Sequence, residues 1–244
     1  IMLYITLWKE DDIMAEELPS YKTELISIEN LEKDYYEIKI KKPNDMNWVA
    51  GQYMRLGLPT KEITEKKKLR ALSFASLPED DVILLGTRTG KEISNFKQNL
   101  LTVQPGEEVE VKGPLGQFTL PEDGNQTLVF FAGGVGVTPI RALLEKLAKD
   151  KSERTIKFVY SSLDYYFYKE DFAEFKKSLP NAEFIFVRDE NDVDRELTKL
   201  TSELANDALY YVSSSEKIVE AVSQSLQDKG IDAENIKHDI LYGY

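Results

Sequence analysis

Along the first half of the chain, apolar and polar positions alternate over short runs separated by turn residues. In Tyr36-Glu37-Ile38-Lys39-Ile40 one face can be wet while the other is buried, the signature of a half-buried strand. Runs of this kind predict strands over 21–29, 34–42, 52–58, 69–77, 82–87 and 107–112. Pro43-Asn44-Asp45, Pro59-Thr60, Pro78-Glu79-Asp80 and Pro105-Gly106 punctuate them. One helical stretch, 94–101, interrupts the series. Many short strands at this spacing predict a small closed antiparallel β-barrel.

The pattern changes after the polar linker Pro121-Glu122-Asp123-Gly124-Asn125. Segments 127–132, 155–160, 183–187 and 208–212 are near-continuous apolar strands, as expected when both faces of a parallel sheet are covered; 236–240 supplies a fifth. Helical periodicity lies between them. Ile140, Leu143, Leu144, Leu147 and Ala148 fall on one face, and 168–178, 196–205 and 216–229 follow. This alternation predicts a doubly wound parallel α/β domain. The organisation expected is an N-terminal extension over 1–18, a barrel over 19–121 and an α/β domain over 122–244.

Composition narrows the function classes. The 244 residues are 42% apolar and 30% charged, an ordinary globular balance, long enough for one large core or two small ones. No apolar run approaches the ~20 residues of a membrane-spanning helix. With 31 basic and 43 acidic residues the net charge is −12, which argues against broad nucleic-acid binding by phosphate neutralisation. Cysteine is absent, excluding disulfides, thiolate catalysis, zinc–thiolate sites and cysteine-ligated iron–sulfur clusters within these residues. His238 is the single histidine, so no metal site is expected. The lack of cysteine fits a reducing cytoplasm. Ile1 to Trp8 is apolar, but Lys9-Glu10-Asp11-Asp12 follows without a small-residue cleavage site, unlike a signal peptide. A chain opening on Ile1, with Met14 starting a more conventional stretch, suggests an upstream extension.

The first α/β connection carries candidate chemistry. Gly133-Gly134-Val135-Gly136-Val137-Thr138-Pro139 permits a tight turn and close backbone approach to a ligand, with Thr138 expected as N-cap and Pro139 as the first helical residue. The helix start offers free N–H groups to a diphosphate. Pro139 occupies the third slot of G-x-G-x-x-G, so the usual dinucleotide fingerprint fails; a plain strand–helix turn is the alternative.

Together, three motifs resemble the ferredoxin–NADP reductase family of flavin-dependent nicotinamide oxidoreductases. The glycine turn is similar to its nicotinamide-dinucleotide diphosphate motif. Arg70-Ala71-Leu72-Ser73-Phe74-Ala75-Ser76 resembles its flavin motif, Arg-x-Tyr/Phe-Ser. Lys112-Gly113-Pro114-Leu115-Gly116-Gln117-Phe118 matches the segment closing its barrel. The similarity runs from about Tyr21 to Tyr244. It implies that the barrel binds FAD and the α/β domain NADH or NADPH. Arg70 would hold the flavin pyrophosphate through its forked, charge-assisted donors. Leu72 would cover the ring and Ser73 would lie near flavin N5, where hydride arrives. Glu92, Ile93 and Ser94 match a second phosphate-binding segment, and Thr87 joins the flavin contacts. Gly133, Gly134, Gly136, Thr138 and Pro139 would receive the nicotinamide cofactor's diphosphate, and Ser161, Ser162 and Asp164 its ribose. Ser213, Ser214 and Tyr244 would border the reacting rings, with Ser73 and Ser213 in the catalytic slots.

Strict alternation sets Arg70 and Leu72 on one face and Ser73 on the other, so a bulge or a ligand along the strand end is required to unite them. Leu72 replaces an aromatic ring, and Ser214 a glycine. Leu163 stands where NADPH-preferring members usually place arginine, with Asp164 beside it, so NADH is favoured. Lys169 and Arg188 remain candidates for the same pocket. In the ending Lys237-His238-Asp239-Ile240-Leu241-Tyr242-Gly243-Tyr244, Asp239 and Leu241 replace the family's Glu and Phe.

Plainer readings stand beside these. Arg70 can pair with a carboxylate and Ser94 can cap the helix that follows. Ser213-x-x-Glu216 reads better as a capping box than as catalysis. Tyr165-Tyr166-Phe167-Tyr168 reads as packing and Asp189-Glu190-Asn191-Asp192-Val193-Asp194 as a solvated loop. Lys66-Lys67-Lys68 is a solvated loop or a dock for an acidic acceptor. The expectation is an enzyme that passes hydride from NADH or NADPH to FAD, then electrons to a separate acceptor: ferredoxin, flavodoxin, another redox subunit, free flavin or a ferric chelate. An electron-entry subunit of a larger complex and a non-catalytic flavin- or nucleotide-binding module are the alternatives.

Overall fold

The computed structural model describes residues 18–122 and 124–241. The N-terminal extension, apart from residue 18, and Tyr244 therefore lie outside the described residues. Alternation builds the first sheet from β1 (Ser20–Glu32), β2 (Tyr35–Lys41), β3 (Tyr53–Gly57), β4 (Leu69–Ser73), β5 (Val82–Arg88) and β6 (Glu108–Leu115). In β2, Ile38 and Ile40 turn inward, while Lys39 and Glu37 pair at 2.9 Å on the outer face, where Tyr35 is buried against the second domain. The antiparallel order is β4-β3-β6-β1-β2-β5. The sheet curls, but among the described residues its two edge strands share no ladder beyond the Phe74–Leu85 bridge and the neighbouring Ala75 N–H to Leu84 O bond at 2.8 Å, so the expected closed barrel is barrel-like and not closed. Helix α1 (Asn95–Leu100) plugs its lower end with Phe96 and Leu100.

The second sheet is wholly parallel, in the order β11 (Ile236–Leu241), β10 (Ala208–Ser215), β7 (Thr127–Gly133), β8 (Ile156–Ser161), β9 (Ala182–Val187). Helices α2 (Val137–Lys149) and α3 (Lys169–Lys176) cover one face; α4 (Glu190–Leu204) and α5 (Glu216–Asp228) cover the other. The chain reverses direction of winding between β7 and β10, which makes their C-terminal ends the crevice of the sheet.

Three apolar cores result. One fills the barrel and one lies under α4 and α5. The third joins the two domains, combining Tyr35, Ala75, Leu77, Leu84 and Phe118 with Phe130, Leu143, Tyr160 and Phe167. Phe167 seats over Gly86 of β5 so closely that a Cβ there would overlap its ring. The run 165–168 is thus packing, as read: Phe167 and Tyr168 are buried, and Tyr168 takes the left-handed φ of 62° that starts α3 one residue later than expected.

Two expectations are corrected. The acidic run 189–194 is not a loop but the first turn of α4, with Asp189 capping through the Asp192 N–H at 2.9 Å. Acidic side chains stabilise a helix N-terminus, so the charge run starts the helix instead of preceding it. The glycine turn begins with a 3₁₀ segment, Gly134–Gly136, and α2 starts at Val137. Thr138 therefore sits inside the first turn, its hydroxyl donating to Val135 O at 2.7 Å; it is not the N-cap, and Pro139 is the third helical residue, not the first.

Candidate functional site at the barrel–sheet seam

β4 ends at Ser73, where the barrel abuts the C-terminal ends of β10 and β11. The register pairs Ser213 with Asp239, and from the barrel side Ser73 faces the same carboxylate. Ser213 Oγ donates to Asp239 Oδ2 at 3.1 Å and Ser73 Oγ to the same oxygen at 3.4 Å. Burial raises the Asp239 carboxyl to about 6, against the pull of these two hydroxyls. A carboxyl so poised can hold or release a proton near neutral pH. The two serines assigned to catalytic slots are thus brought together, by an acid that alternation alone does not single out. The available signal was a charged residue inside an otherwise half-buried strand.

Ser213 is not a capping residue. Helix α5 begins at Glu216 after Ser215, with no side-chain cap, so the expected capping box is absent. The strand simply continues through Ser213, Ser214 and Ser215 because β11 pairs with all three, and β7 with Ser213. Ser214 is buried and donates to Gly133 O at 3.3 Å. The glycines explain themselves locally: a Cβ at Gly136 would overlap the Ser213 carbonyl, and one at Gly133 the Ser214 hydroxyl. Gly134, at φ 54°, turns its missing Cβ towards Arg88 and the Tyr35 hydroxyl of the barrel, each 3.8 Å from where that atom would be.

On the flank beside β8, Ser162 donates to Tyr165 O at 2.7 Å and lies 3.4 Å from the Tyr35 hydroxyl, while Ser161 ends the strand. Asp164 pairs with Lys33 of the β1–β2 hairpin at 2.8 Å, half-exposed on both sides. The acid expected at a ribose is therefore already matched to a barrel lysine. Leu163 is exposed beside it.

The flank beside β5 gathers cations. Arg70 pairs with Glu65, donates to Lys67 O at 2.6 Å and lies 5.0 Å over the Phe96 ring. Glu65 also accepts the Asn95 N–H at 3.0 Å. Ser94 caps α1 through the Lys97 N–H at 3.3 Å, with Glu92 and Ile93 just before it. Arg88 pairs with Asp34 at 3.1 Å and stacks on Tyr35 at 4.6 Å; Thr87 is buried next to it. The plain readings of Arg70 and Ser94 are thus both realised. Leu72 is 5% exposed in the barrel core, so it backs the strand and does not face out to cover a ring. Cations that accept an internal carboxylate suit a diphosphate, and the donor set fits a dinucleotide flavin. A separate cleft of about 700 Å³, lined by Leu120, Lys146, Asp150 and Arg154, opens at the opposite end of the sheet.

A family model described as the oxidoreductase NAD-binding domain matches residues 130–224. The toluate 1,2-dioxygenase electron transfer component of Pseudomonas putida is 27% identical over 241 residues, covering 93% of this chain and 69% of the relative. The reductase component of propane 2-monooxygenase from Mycolicibacterium goodii is 27% identical over 184 residues, covering 72% of this chain and 51% of its own length. The chain spans about half the length of most of the curated relatives it matches. Ferredoxin-NADP+ reductase from Plasmodium falciparum shares the fold, with a TM-score of 0.74 at 18% identity over 91% of this chain and 96% of that one.

Proposed function

We propose that the chain, which is similar to reductases of the ferredoxin–NADP reductase type, is a flavin-dependent oxidoreductase that takes hydride from a reduced nicotinamide dinucleotide and passes electrons to a separate acceptor. The observation that carries this reading is the meeting of Ser73, Ser213 and Asp239 at the junction of the two sheets. FAD, when bound, would supply the redox chemistry, a two-electron acceptor for hydride and a donor to the next carrier. The protein holds the two rings in register and excludes water.

In this reading Arg70, Thr87, Glu92, Ile93 and Ser94 hold the flavin. Gly133, Gly134 and Gly136, with the α2 start at Thr138 and Pro139, receive the diphosphate of the nicotinamide cofactor. Ser161, Ser162 and Asp164 take its ribose. Ser214 borders the nicotinamide, and Asp239 manages a proton through Ser73 and Ser213. NADH is the preferred donor, because Leu163 stands in the slot of an arginine for a 2′-phosphate and Asp164 beside it can accept from a ribose hydroxyl. These residues contain no cysteine, so the acceptor's metal centre belongs elsewhere. A ferredoxin, a flavodoxin or a redox subunit fits, and the component names of the relatives favour a partner protein over free flavin or a ferric chelate. The absence of cysteine supports a cytoplasmic setting. Among the described residues no helix is long and apolar enough to cross a membrane.

The test is a visible spectrum of the purified protein reconstituted with FAD, repeated without oxygen after NADH and, separately, NADPH. Flavin bands that bleach, faster and at lower concentration with NADH, are expected. A folded protein that binds no flavin, or a bound flavin that neither nucleotide reduces, defeats the proposal. Preference for NADPH overturns the donor assignment alone.

A further inference from the structure

We propose that Lys33, on the β1–β2 hairpin of the barrel, sets how far the site discriminates between NADH and NADPH, reading the ribose 2′ position from the domain opposite Asp164. The inference rests on the nicotinamide-site reading above and adds a residue that no motif of the resemblance supplies. Lys33 and Asp34 form the two-residue turn between Glu32 and Tyr35. Lys33 takes a left-handed φ of 50° there, a conformation that glycine or asparagine adopts at least cost. A lysine standing at such a position calls for a use of its side chain. Hairpin closure does not supply one. The Asn30 side-chain amide donates to Lys33 O at 2.9 Å and to Tyr35 O at 3.2 Å, bracing the turn through the backbone alone.

The turn is fastened beside the α/β domain. Arg88 grips Asp34 through two N–H groups at 3.1 Å, and the Gly90 N–H donates to the same carboxylate at 2.9 Å. Tyr35 packs edge-on to Tyr165, and its hydroxyl lies 3.4 Å from Ser162 Oγ. The Lys33 amine thereby donates to Asp164 Oδ1 at 2.8 Å. Among the described residues nothing else donates to Asp164, so Oδ2 stays open, and the amine has two further N–H groups to give. Both side chains are half-exposed, on the flank assigned to the ribose. Leu163, 77% exposed beside them, offers neither charge nor hydrogen bond. Arg88 also feels the Asp164 charge, but it is paired with Asp34.

This geometry treats the two cofactors differently. A ribose 2′-hydroxyl can donate to Asp164 Oδ2 while the ion pair stays intact. A 2′-phosphate, close to a dianion at neutral pH, is repelled by a bare aspartate. The Lys33 amine cancels that charge and turns its spare N–H groups to the phosphate oxygens. Lys33 therefore narrows a preference for NADH that Leu163 and Asp164 by themselves would make steep.

The experiment titrates the full chain, with no flavin added, with AMP and with adenosine 2′,5′-bisphosphate by calorimetry. It then measures kcat/KM for NADH and NADPH on the FAD-loaded protein. Lys33→Gly suits the left-handed turn, so its melting temperature should equal or exceed that of wild type. It should weaken the bisphosphate about fivefold and leave AMP within about twofold. The NADH-to-NADPH ratio of kcat/KM should rise by the factor that the bisphosphate loses, and the effect should fade between ~0.01 M and ~1 M salt. Lys33→Arg should restore the wild-type ratios, whereas Asp164→Asn should strengthen the bisphosphate. Equal losses for AMP and the bisphosphate, or no change in either, with NADH still bleaching the flavin, overturn the assignment and leave the flavoenzyme reading standing. A ratio that moves with Asp164→Asn but not with Lys33→Gly gives discrimination to the acid alone and also overturns it. Binding of neither probe to folded wild type overturns it as well, and if neither nucleotide then reduces the flavin the parent reading falls with it.

Discussion

Asp239 has the least room for compromise of any side chain at the seam. Buried beneath two serine hydroxyls, it is raised to about 6, whereas in the unfolded chain it titrates like any aspartate. A carboxyl raised on folding contributes stability that is fully present below about pH 4 and lost as the pH rises through about 6. Asp239→Asn, which cannot ionise, should therefore be more stable than wild type at pH 7 by ~2–3 kcal/mol, with the difference vanishing near pH 4. Urea unfolding at the two pH values measures it. The same variant should lose the inflection near pH 6 in kcat. An unchanged stability profile would show that folding does not raise the carboxyl, which then ionises in the folded protein as it does in the unfolded chain. Ser73 and Ser213 were legible in the sequence by their motifs, but their shared partner was not. Only the parallel register of β10 and β11 sets Asp239 opposite Ser213.

Among the elements, type was readable and starting points were not. The six barrel strands and five parallel strands appear where the alternation and the apolar runs place them. Helix α4 begins at Glu190, six residues before its expected start, because the acidic run that looked like a loop interacts favourably with the helix dipole. If Asp189 is the cap, Asp189→Ala should cost about 1 kcal/mol and lower Tm by roughly 2–4 °C without changing turnover. Calorimetry decides this, and an unaltered Tm would mean that the first turn frays. The glycine turn teaches the converse lesson. Its residues predict close approach correctly, but Gly133 and Gly136 are required by Ser214 and the Ser213 carbonyl before any ligand is considered.

At the scale of the whole molecule, one arginine fastens the domains. Arg141 of α2 donates to Ala75 O at the end of the barrel, pairs with Glu145 at 2.7 Å and Asp171 at 2.6 Å, and stacks on Tyr168 and Phe175. Arg141→Met retains the stem but leaves Asp171 and the Ala75 carbonyl without this donor, and Glu145 with Lys149 at 3.4 Å. It should destabilise the chain by ~3–5 kcal/mol and separate the unfolding of barrel and α/β domain into two steps. A single, unshifted transition in scanning calorimetry would place the bond between domains in the apolar core alone. The Lys33–Asp164 pair is a second tie across the seam, and it neutralises the acid on which donor choice was argued.

The sequence by itself determined the two architectures, their order and the glycine turn, because strand alternation, helical periodicity and backbone permissiveness are local properties. It also determined the chemistry ruled out by the lack of cysteine. The tertiary structure alone decided which charges meet. Glu65 on Arg70, Lys33 on Asp164, Lys97 under Arg88 and Asp239 between two serines all join segments distant in the chain, and a Coulomb or hydrogen-bond partner depends on separation in space. The barrel's open edge was decided there too, since closure depends on how far a curled sheet brings its first and last strands together, which no local pattern encodes.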